Sequence, residues 1–175
     1  MTDTGVVVAR TDAGMLAVWC PSYFRDVDGY EAWEARVNER LAEAITAGEL
    51  VPVNIQSDGA FGVRVAVDPE DLTERERRYA LLTSEPYLLA VSGGALCLSG
   101  IEGFGDDDRA ALRVEPPDGR YAIRKTIVAW DEEPGARGAD GSPTDGALPD
   151  FVVRVSPERS PEWYRAYELT FDQPE

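Results

Sequence analysis

The sequence predicts a mainly β fold of the α+β type, an antiparallel β-sandwich or jelly-roll of about nine strands with one amphipathic helix. Three observations predict it. Short apolar segments with a period of two recur along the chain, Gly, Pro and Asp turn residues separate them, and a single segment at residues 28–47 has a helical period instead. Because the 175 residues show no second-domain boundary, we expect a single domain over residues 1–175.

The helix is predicted from an apolar face and from two end signals. Asp28, with Glu31 three residues later, fits a capping box, and Gly48 stands where a left-handed stop is expected. The apolar face repeats at three- and four-residue spacing, at Trp33, Val37, Leu41, Ala44 and Ile45. This pattern predicts a helix that packs on the core.

Three pairs of neighbouring strands are predicted to form hairpins, because turn residues separate segments of strand character. The pairs are 6–9 with 15–19, 50–55 with 61–67, and 87–91 with 95–99. Further strands are predicted at 121–130, 151–155 and 167–171. The strand pairs predict antiparallel sheet.

Two further segments complete the prediction. Residues 131–150 have almost no apolar content and are interrupted by Gly and Pro, which predicts a long, exposed, acidic loop. Such loops are uncommon in compact domains and are usually functional or disordered. A short second helix is predicted over residues 74–79, with Thr73 as its cap.

The charge of the chain limits its partners. The 33 Asp and Glu residues exceed the 17 Lys and Arg residues, which gives a formal net charge of −16, and Lys125 is the only lysine. Such a surface repels nucleic-acid phosphates and attracts cations, so a basic protein is the expected partner and direct nucleic-acid binding is not expected. Solubility alone is the simpler interpretation of the same charge. With no signal-peptide pattern and no span of membrane length, we expect a cytoplasmic bacterial protein.

The sequence contains no histidine, which excludes Ser-His-Asp and Cys-His catalysis and histidine-based metal sites within the chain. Cys20 and Cys97 lack the close spacing of a metal site. They are interpreted as buried, reduced thiols, with a disulfide between them left open. No cofactor and no metal site are predicted.

One candidate binding element is the acidic run Asp106, Asp107 and Asp108. Three carboxylates in a glycine-containing turn can contact a basic partner. They can also bind calcium, but no EF-hand pattern surrounds them, and a solvated charged turn accounts for them as well.

The second candidate element is the strand that carries Tyr121, Arg124 and Lys125. Alternation places Lys125 on the core face, where a desolvated lysine can act as a base beside a serine such as Ser92 or Ser99. In the alternative interpretation, Lys125 lies near a strand end and extends to water, or a bulge reverses the alternation.

The segment Pro116 to Arg124 reads Pro-Pro-Asp-Gly-Arg-Tyr-Ala-Ile-Arg, and it resembles a strand of poorly characterised bacterial families in which it precedes the final strands. The order of elements is similar to the competence-protein-J and nuclease-inhibitor type of acidic β-sandwich. There, too, an early strand is followed by a Trp-bearing segment, further strands and a late glycine-tyrosine strand. The likeness extends over about residues 15–124. The long acidic loop and the added C-terminal strands depart from this pattern, so no functional residue is carried over.

The sequence therefore predicts a non-catalytic acidic binding protein, an inhibitor or immunity-type protein that occupies the cationic cleft of a nuclease or another basic partner. The competing interpretation is a small-molecule-binding or carboxylate-based enzymatic sandwich, with Lys125, Tyr121 or Arg124 directed into a cleft. A calcium-binding module is a third interpretation.

Overall fold

The computed structural model describes residues 4–160 and 163–166, and its described strands form two β-sheets. The strands are β1 (Val6–Thr11), β2 (Met15–Trp19), β3 (Leu50–Ile55), β4 (Gly59–Val67), β5 (Ala80–Thr83), β6 (Tyr87–Val91), β7 (Leu96–Gly100), β8 (Leu112–Val114), β9 (Gly119–Val128) and β10 (Phe151–Pro157). The strand predicted at 167–171 lies outside the described residues.

The first sheet has the strand order β1-β4-β10-β9-β5, with β6 also paired to β9, and the second sheet has the order β3-β2-β7-β8. Pairing is antiparallel except between β4 and β10, which run parallel. The predicted mainly β fold is confirmed. Buried side chains from both sheets form one hydrophobic cluster, with the core-facing residues of β4, β9 and β10 opposite those of β2 and β7.

The three predicted hairpins are wrong, because in each case the chain crosses from one sheet to the other. β1 and β2, β3 and β4, and β6 and β7 all lie in different sheets. Turn residues indicate where the chain reverses its direction, but they do not determine which two strands pair with each other. All five residues of β2 are buried, as expected of a central strand that is covered on both faces and not of a half-exposed hairpin strand.

The helical segment lies where the sequence predicts it, with three parts: α1 (Gly29–Trp33), a π-helical turn (Glu34–Asn38) and α2 (Leu41–Ala47). The Glu39 N–H donates to the Glu34 carbonyl at 2.9 Å, five residues back, which defines the wide turn. Gly48 ends α2 with a φ of 77°, as predicted. The capping box at Asp28 is wrong, because the Asp28 side chain makes no capping hydrogen bond. None of the helices in the described part of the chain is long and apolar enough to cross a membrane.

The short helix α3 (Glu74–Arg78) has the capping box instead. Thr73 Oγ1 accepts a hydrogen bond from the Glu76 N–H at 3.2 Å, and the Glu76 carboxylate accepts one from the Thr73 N–H at 2.7 Å. Glu76 is buried, where it pairs with Arg64 of β4. This pair attaches α3 to the outer face of the first sheet.

Most residues of the segment 131–150 are exposed, and its end packs against that outer face. Leu148 is buried against β4, β9 and β10, in a small cluster that Trp130 also contacts. Asp150 accepts hydrogen bonds from Trp130 Nε1 at 2.9 Å and from the Gly62 N–H at 2.7 Å. The side chains of Leu148 and Asp150 therefore hold the end of the loop against the sheet, although the composition of the loop is typical of a solvated segment.

Cys20 and Cys97 are both buried and free. Burial raises the pKa of Cys97 to about 11. The structure therefore agrees with the interpretation as reduced, structural thiols.

Candidate functional site

A groove of about 670 Å³ opens at one end of the second sheet, between α1 and the segment at residues 101–109. We call it the acidic groove. It is lined by Val27, Asp28, Tyr30, Trp33, Glu102, Phe104, Asp106 and Arg109, among others. Trp33 joins the two walls, since its indole Nε1 donates to the Ile101 carbonyl at 2.8 Å.

The floor of the acidic groove is aromatic and rigidly supported. Phe104 is buried and stacks on Trp19, with 4.7 Å between ring centroids, and Phe24 packs against both rings. Trp19 is held in turn by a hydrogen bond of 2.9 Å from its Nε1 to Ser99 Oγ. The groove therefore rests on the hydrophobic core.

One wall carries an aromatic residue that the core does not cover. Tyr30 is 74% exposed, and its ring lies nearly parallel to that of Trp33, with 6.1 Å between centroids. A hydrogen bond to Glu34 and the negative charge of that residue raise the pKa of Tyr30. A large exposed aromatic ring at a groove edge is typical of interface anchors.

Gly105 brings the two walls together. Its φ is +92°, and a Cβ at this position would lie 2.5 Å from the Val27 carbonyl oxygen. Only glycine fits such a close approach in a left-handed conformation. Glu102 attaches the 101–109 segment to the end of β1. Its carboxylate accepts hydrogen bonds from Thr11 Oγ1 at 3.1 Å and from the Asp12 N–H at 2.9 Å.

The rim of the groove is acidic. Asp28, Glu102 and Asp106 line it, and Arg109 is the basic residue among its lining residues. Arg109 Nε lies 3.2 Å from Asp106 in an exposed ion pair, which contributes little binding energy in water. A cation that enters the groove would therefore meet a surplus of carboxylates.

The acidic run predicted from the sequence lies at this rim, and its three members are not equivalent. Asp106 lines the groove, whereas Asp107 and Asp108 belong to the adjacent 3-10 turn and are exposed. Asp107 forms an ion pair with Arg113 of β8. In the described residues, no group of three or more potential metal-ligating side chains is found.

The structure separates the second predicted group. Lys125 and Tyr121 face the core, and Arg124 lies on the opposite face of the same strand. Tyr121 is buried and its hydroxyl donates to the Pro117 carbonyl at 2.7 Å. These three residues therefore do not line one common cleft.

Lys125 is completely buried between the sheets, so the interpretation that it extends to water is wrong. Its ammonium donates to the Pro52 carbonyl at 2.7 Å and lies 5.1 Å from the centre of the Tyr87 ring. Its backbone N–H donates to Ser84 Oγ at 3.1 Å. Ser84 therefore contacts the Lys125 backbone and not its ammonium, and neither Ser92 nor Ser99 is among the described contacts of Lys125.

Tyr30, Trp33 and Glu102 line the groove but are not predicted from the sequence as site residues. The helical period places Trp33 on the packing face of the helix, and its stacking partner Tyr30 is one turn away on the same segment. The available signal was the three-residue spacing of Tyr30 and Trp33 near the acidic N-terminal turn of the helical segment. The sequence contains no comparable signal for Glu102, because its position in the groove depends on tertiary contacts.

These features define a class: a mainly β, two-sheet protein with an acidic, aromatic-floored groove at the helix-bearing end. No protein-family profile matches the chain, and no curated protein matches it either. Two solved structures share the fold. The crocagin biosynthetic gene J protein aligns with a TM-score of 0.60 and 18% identity, over 91% of this chain and all of its own.

The second is ComJ from Bacillus subtilis, described as an inhibitor of the DNA-degrading activity of NucA. It aligns with a TM-score of 0.54 and 8% identity, over 90% of this chain and 98% of its own. The resemblance to the competence-protein-J type of sandwich is thus confirmed at the level of the fold. It also extends past the predicted limit at Arg124 into the later strands.

Proposed function

We propose that this protein binds a basic protein partner through the acidic groove and acts as an inhibitor-type binding protein. The observation that carries the proposal is the combination, in one open groove, of the stacked pair Tyr30 and Trp33 with a carboxylate rim. Aromatic residues supply anchors in protein interfaces, and charge complementarity directs the encounter and selects the partner.

The occupant we propose is a cationic surface segment of another protein. The net charge of −16 disfavours nucleic acid. A small-molecule site usually encloses most of its ligand, whereas Tyr30, on one wall of this groove, is largely exposed. An exposed ring on a supported wall suits a protein segment that covers it from outside.

The fold shared with ComJ supports an inhibitor-type role. ComJ inhibits the activity of a DNA-degrading protein, and proteins that bind DNA present cationic surfaces to the phosphates. An acidic groove is complementary to such a surface. We therefore place a basic nuclease first among the candidate partners.

The test uses a fluorescent peptide of alternating arginine and leucine as a stand-in for the cationic segment. Binding is followed by fluorescence anisotropy with the full chain and with the variants Tyr30→Ala and Asp106→Asn. A peptide of alternating glutamate and leucine controls for apolar binding. Glu132→Gln, an exposed residue of the 131–150 region, removes one charge outside the groove and is the matched control variant.

We expect saturable binding of the arginine peptide, about tenfold weaker for Tyr30→Ala, with Glu132→Gln close to the parent protein. Equal affinity of all variants would overturn the groove as the binding site. Equal binding of the glutamate peptide would overturn the role of charge. Purified basic nucleases can then be assayed for loss of DNA cleavage when the protein is added, with Tyr30→Ala as the control.

A further inference from the structure

The strand β1 ends the first sheet, and its outer edge has no partner among the described strands. Its pairing with β4 is antiparallel over all six residues, from Val6 to Thr11, without a shift of register. Val6 and Val8 are 49% and 59% exposed, whereas the alternate residues of the strand face the core. A regular, apolar edge strand of this kind is a template for pairing with another strand.

The backbone groups of Val8 point to this free edge. Gly62, the register partner of Val8, uses its own backbone groups on the side of β10. Its N–H donates to Asp150 Oδ2 at 2.7 Å, and its carbonyl accepts from the Asp150 N–H at 2.8 Å. Val8 and Gly62 are therefore a pair without mutual hydrogen bonds, and in antiparallel sheet such pairs alternate with bonded ones. The N–H and C=O groups of Val6, Val8 and Arg10 consequently face outward from the sheet edge.

The other strands that end a sheet carry features that hinder edge pairing. β5 has four residues and a register shift against β9. β3 contains Pro52, which has no N–H to donate, and β8 has three residues. Short strands, prolines and irregular register are the means by which proteins limit edge pairing. Among the described strands at the ends of the two sheets, β1 is the one without any of these features.

The distribution of charge indicates which partner fits this edge. The net charge of the chain is −16, yet residues 4–11 contain no Asp or Glu and one Arg. A cationic partner is attracted to carboxylates, which this segment lacks. A second copy of the chain brings an equally apolar strand without carboxylates, so that β1 of one copy can approach β1 of the other without direct repulsion between acidic side chains.

We propose that two copies of the chain pair through β1, in antiparallel orientation, as a two-fold symmetric dimer that joins their first sheets. With the two-fold axis at Val7, Val6 of each copy lies opposite Val8 of the other, so that the exposed valines cover one another. The outward N–H and C=O groups of both residues then complete the ladder. One pair of strands buries less surface than a standard interface, so the dimer is weak. It uses none of the residues that line the acidic groove.

The test is the oligomeric state of the full chain, measured by sedimentation velocity over a series of protein and salt concentrations. Val8→Lys is the test variant, because a charged side chain at the centre of an edge strand opposes pairing. Leu81→Lys, at a 57% exposed position of β5, adds the same charge at the other end of the sheet and is the matched control. Hydrogen exchange of the Val8 amide, followed by NMR, reports the pairing of this backbone group directly.

We expect a reversible monomer–dimer equilibrium that is at least about tenfold weaker in Val8→Lys and unchanged in Leu81→Lys. The dimer should tighten as salt rises, because salt screens the repulsion between two chains of net charge −16. Exchange at Val8 should slow as the protein concentration rises.

A parent protein that stays monomeric up to about 1 mM would overturn the proposal. Equal weakening of the dimer in both variants would overturn the assignment to β1. Slow exchange at Val8 at every protein concentration would show that a segment of the same chain covers the edge, which would also overturn the dimer. Thermal melts of both variants show whether a loss of dimer reflects unfolding.

Discussion

Lys125 of β9 donates a hydrogen bond to the carbonyl of Pro52 in β3, at 2.7 Å, so the only lysine of the chain links the two sheets. Its ammonium also lies 5.1 Å from the centre of the Tyr87 ring. Burial and, secondarily, the positive charge of Arg165 lower the pKa of Lys125 from 10.5 to about 7. The folded protein therefore holds this proton more weakly than the unfolded chain does.

The first prediction concerns the pH dependence of stability. Between pH 7 and 10.5 the unfolded chain keeps the Lys125 proton while the folded protein releases it, so a rise in pH favours folding. The Lys125→Met variant lacks this contribution. Relative to the variant, the parent protein should gain up to about 1.4 kcal/mol of unfolding free energy per pH unit above pH 7. Urea unfolding at several pH values measures it.

The control for this experiment is Ile123→Met, two residues away on the same core face of β9. It changes packing without changing charge, so its stability difference from the parent should not depend on pH. A pH-independent difference for Lys125→Met as well would contradict the lowered pKa of Lys125.

The second prediction concerns the buried pair Arg64 and Glu76, whose side chains are 5% and 2% exposed. Arg64→Met leaves the Glu76 carboxylate buried without its main partner, which should cost about 3–5 kcal/mol. The matched control is Arg75→Met on the same helix. Arg75, whose side chain is 57% exposed, pairs with Glu133, and because water reaches the guanidinium its loss should cost only about 1 kcal/mol. Chemical unfolding measures the unfolding free energy of Arg64→Met and Arg75→Met. Similar losses in the two variants would contradict the difference in burial between the two ion pairs.

The strands could be predicted from the sequence, but their partners could not. Alternation in β4 and β9 marks one buried face, and that face is correct in the structure. Short turns such as 12–14 and 92–94 suggested hairpins, yet they connect strands of opposite sheets. The pairing of β4 with β10, almost ninety positions later, depends on the whole core and has no local signal.

The candidate site was predicted only in part for the same reason. The acidic run identified one rim residue, Asp106, because exposed charge is visible in sequence. Glu102 and Phe104 reach the groove through tertiary contacts, and the close approach of Gly105 to Val27 has no pattern in the sequence. Lys125 was placed correctly on the core face by alternation, whereas its link to Pro52 joins positions far apart in the chain.

The third prediction concerns the close contact between Gly105 and Val27, where the two walls of the acidic groove meet. Gly105→Ala combines a left-handed backbone with a Cβ placed 2.5 Å from the Val27 carbonyl oxygen. Gly135→Ala is the matched control, because Gly135 has a φ of +82° but open space around the added Cβ. We expect about 1 kcal/mol for the control and at least about 1 kcal/mol more for Gly105→Ala. Thermal and chemical unfolding measure both, and equal costs would show that the walls separate easily.

The fourth prediction separates the two contributions to binding in the acidic groove. Removing the exposed ring in Tyr30→Ala takes away apolar contact, so affinity for the arginine-leucine peptide should fall by a similar factor at low and high salt. Removing a rim charge in Asp106→Asn weakens an attraction that salt screens. Its loss should be several-fold at low salt and should shrink as salt rises. Anisotropy titrations across a salt series give both slopes. If Tyr30→Ala instead changed the salt dependence and Asp106→Asn did not, charge would not be what attracts the peptide to the rim.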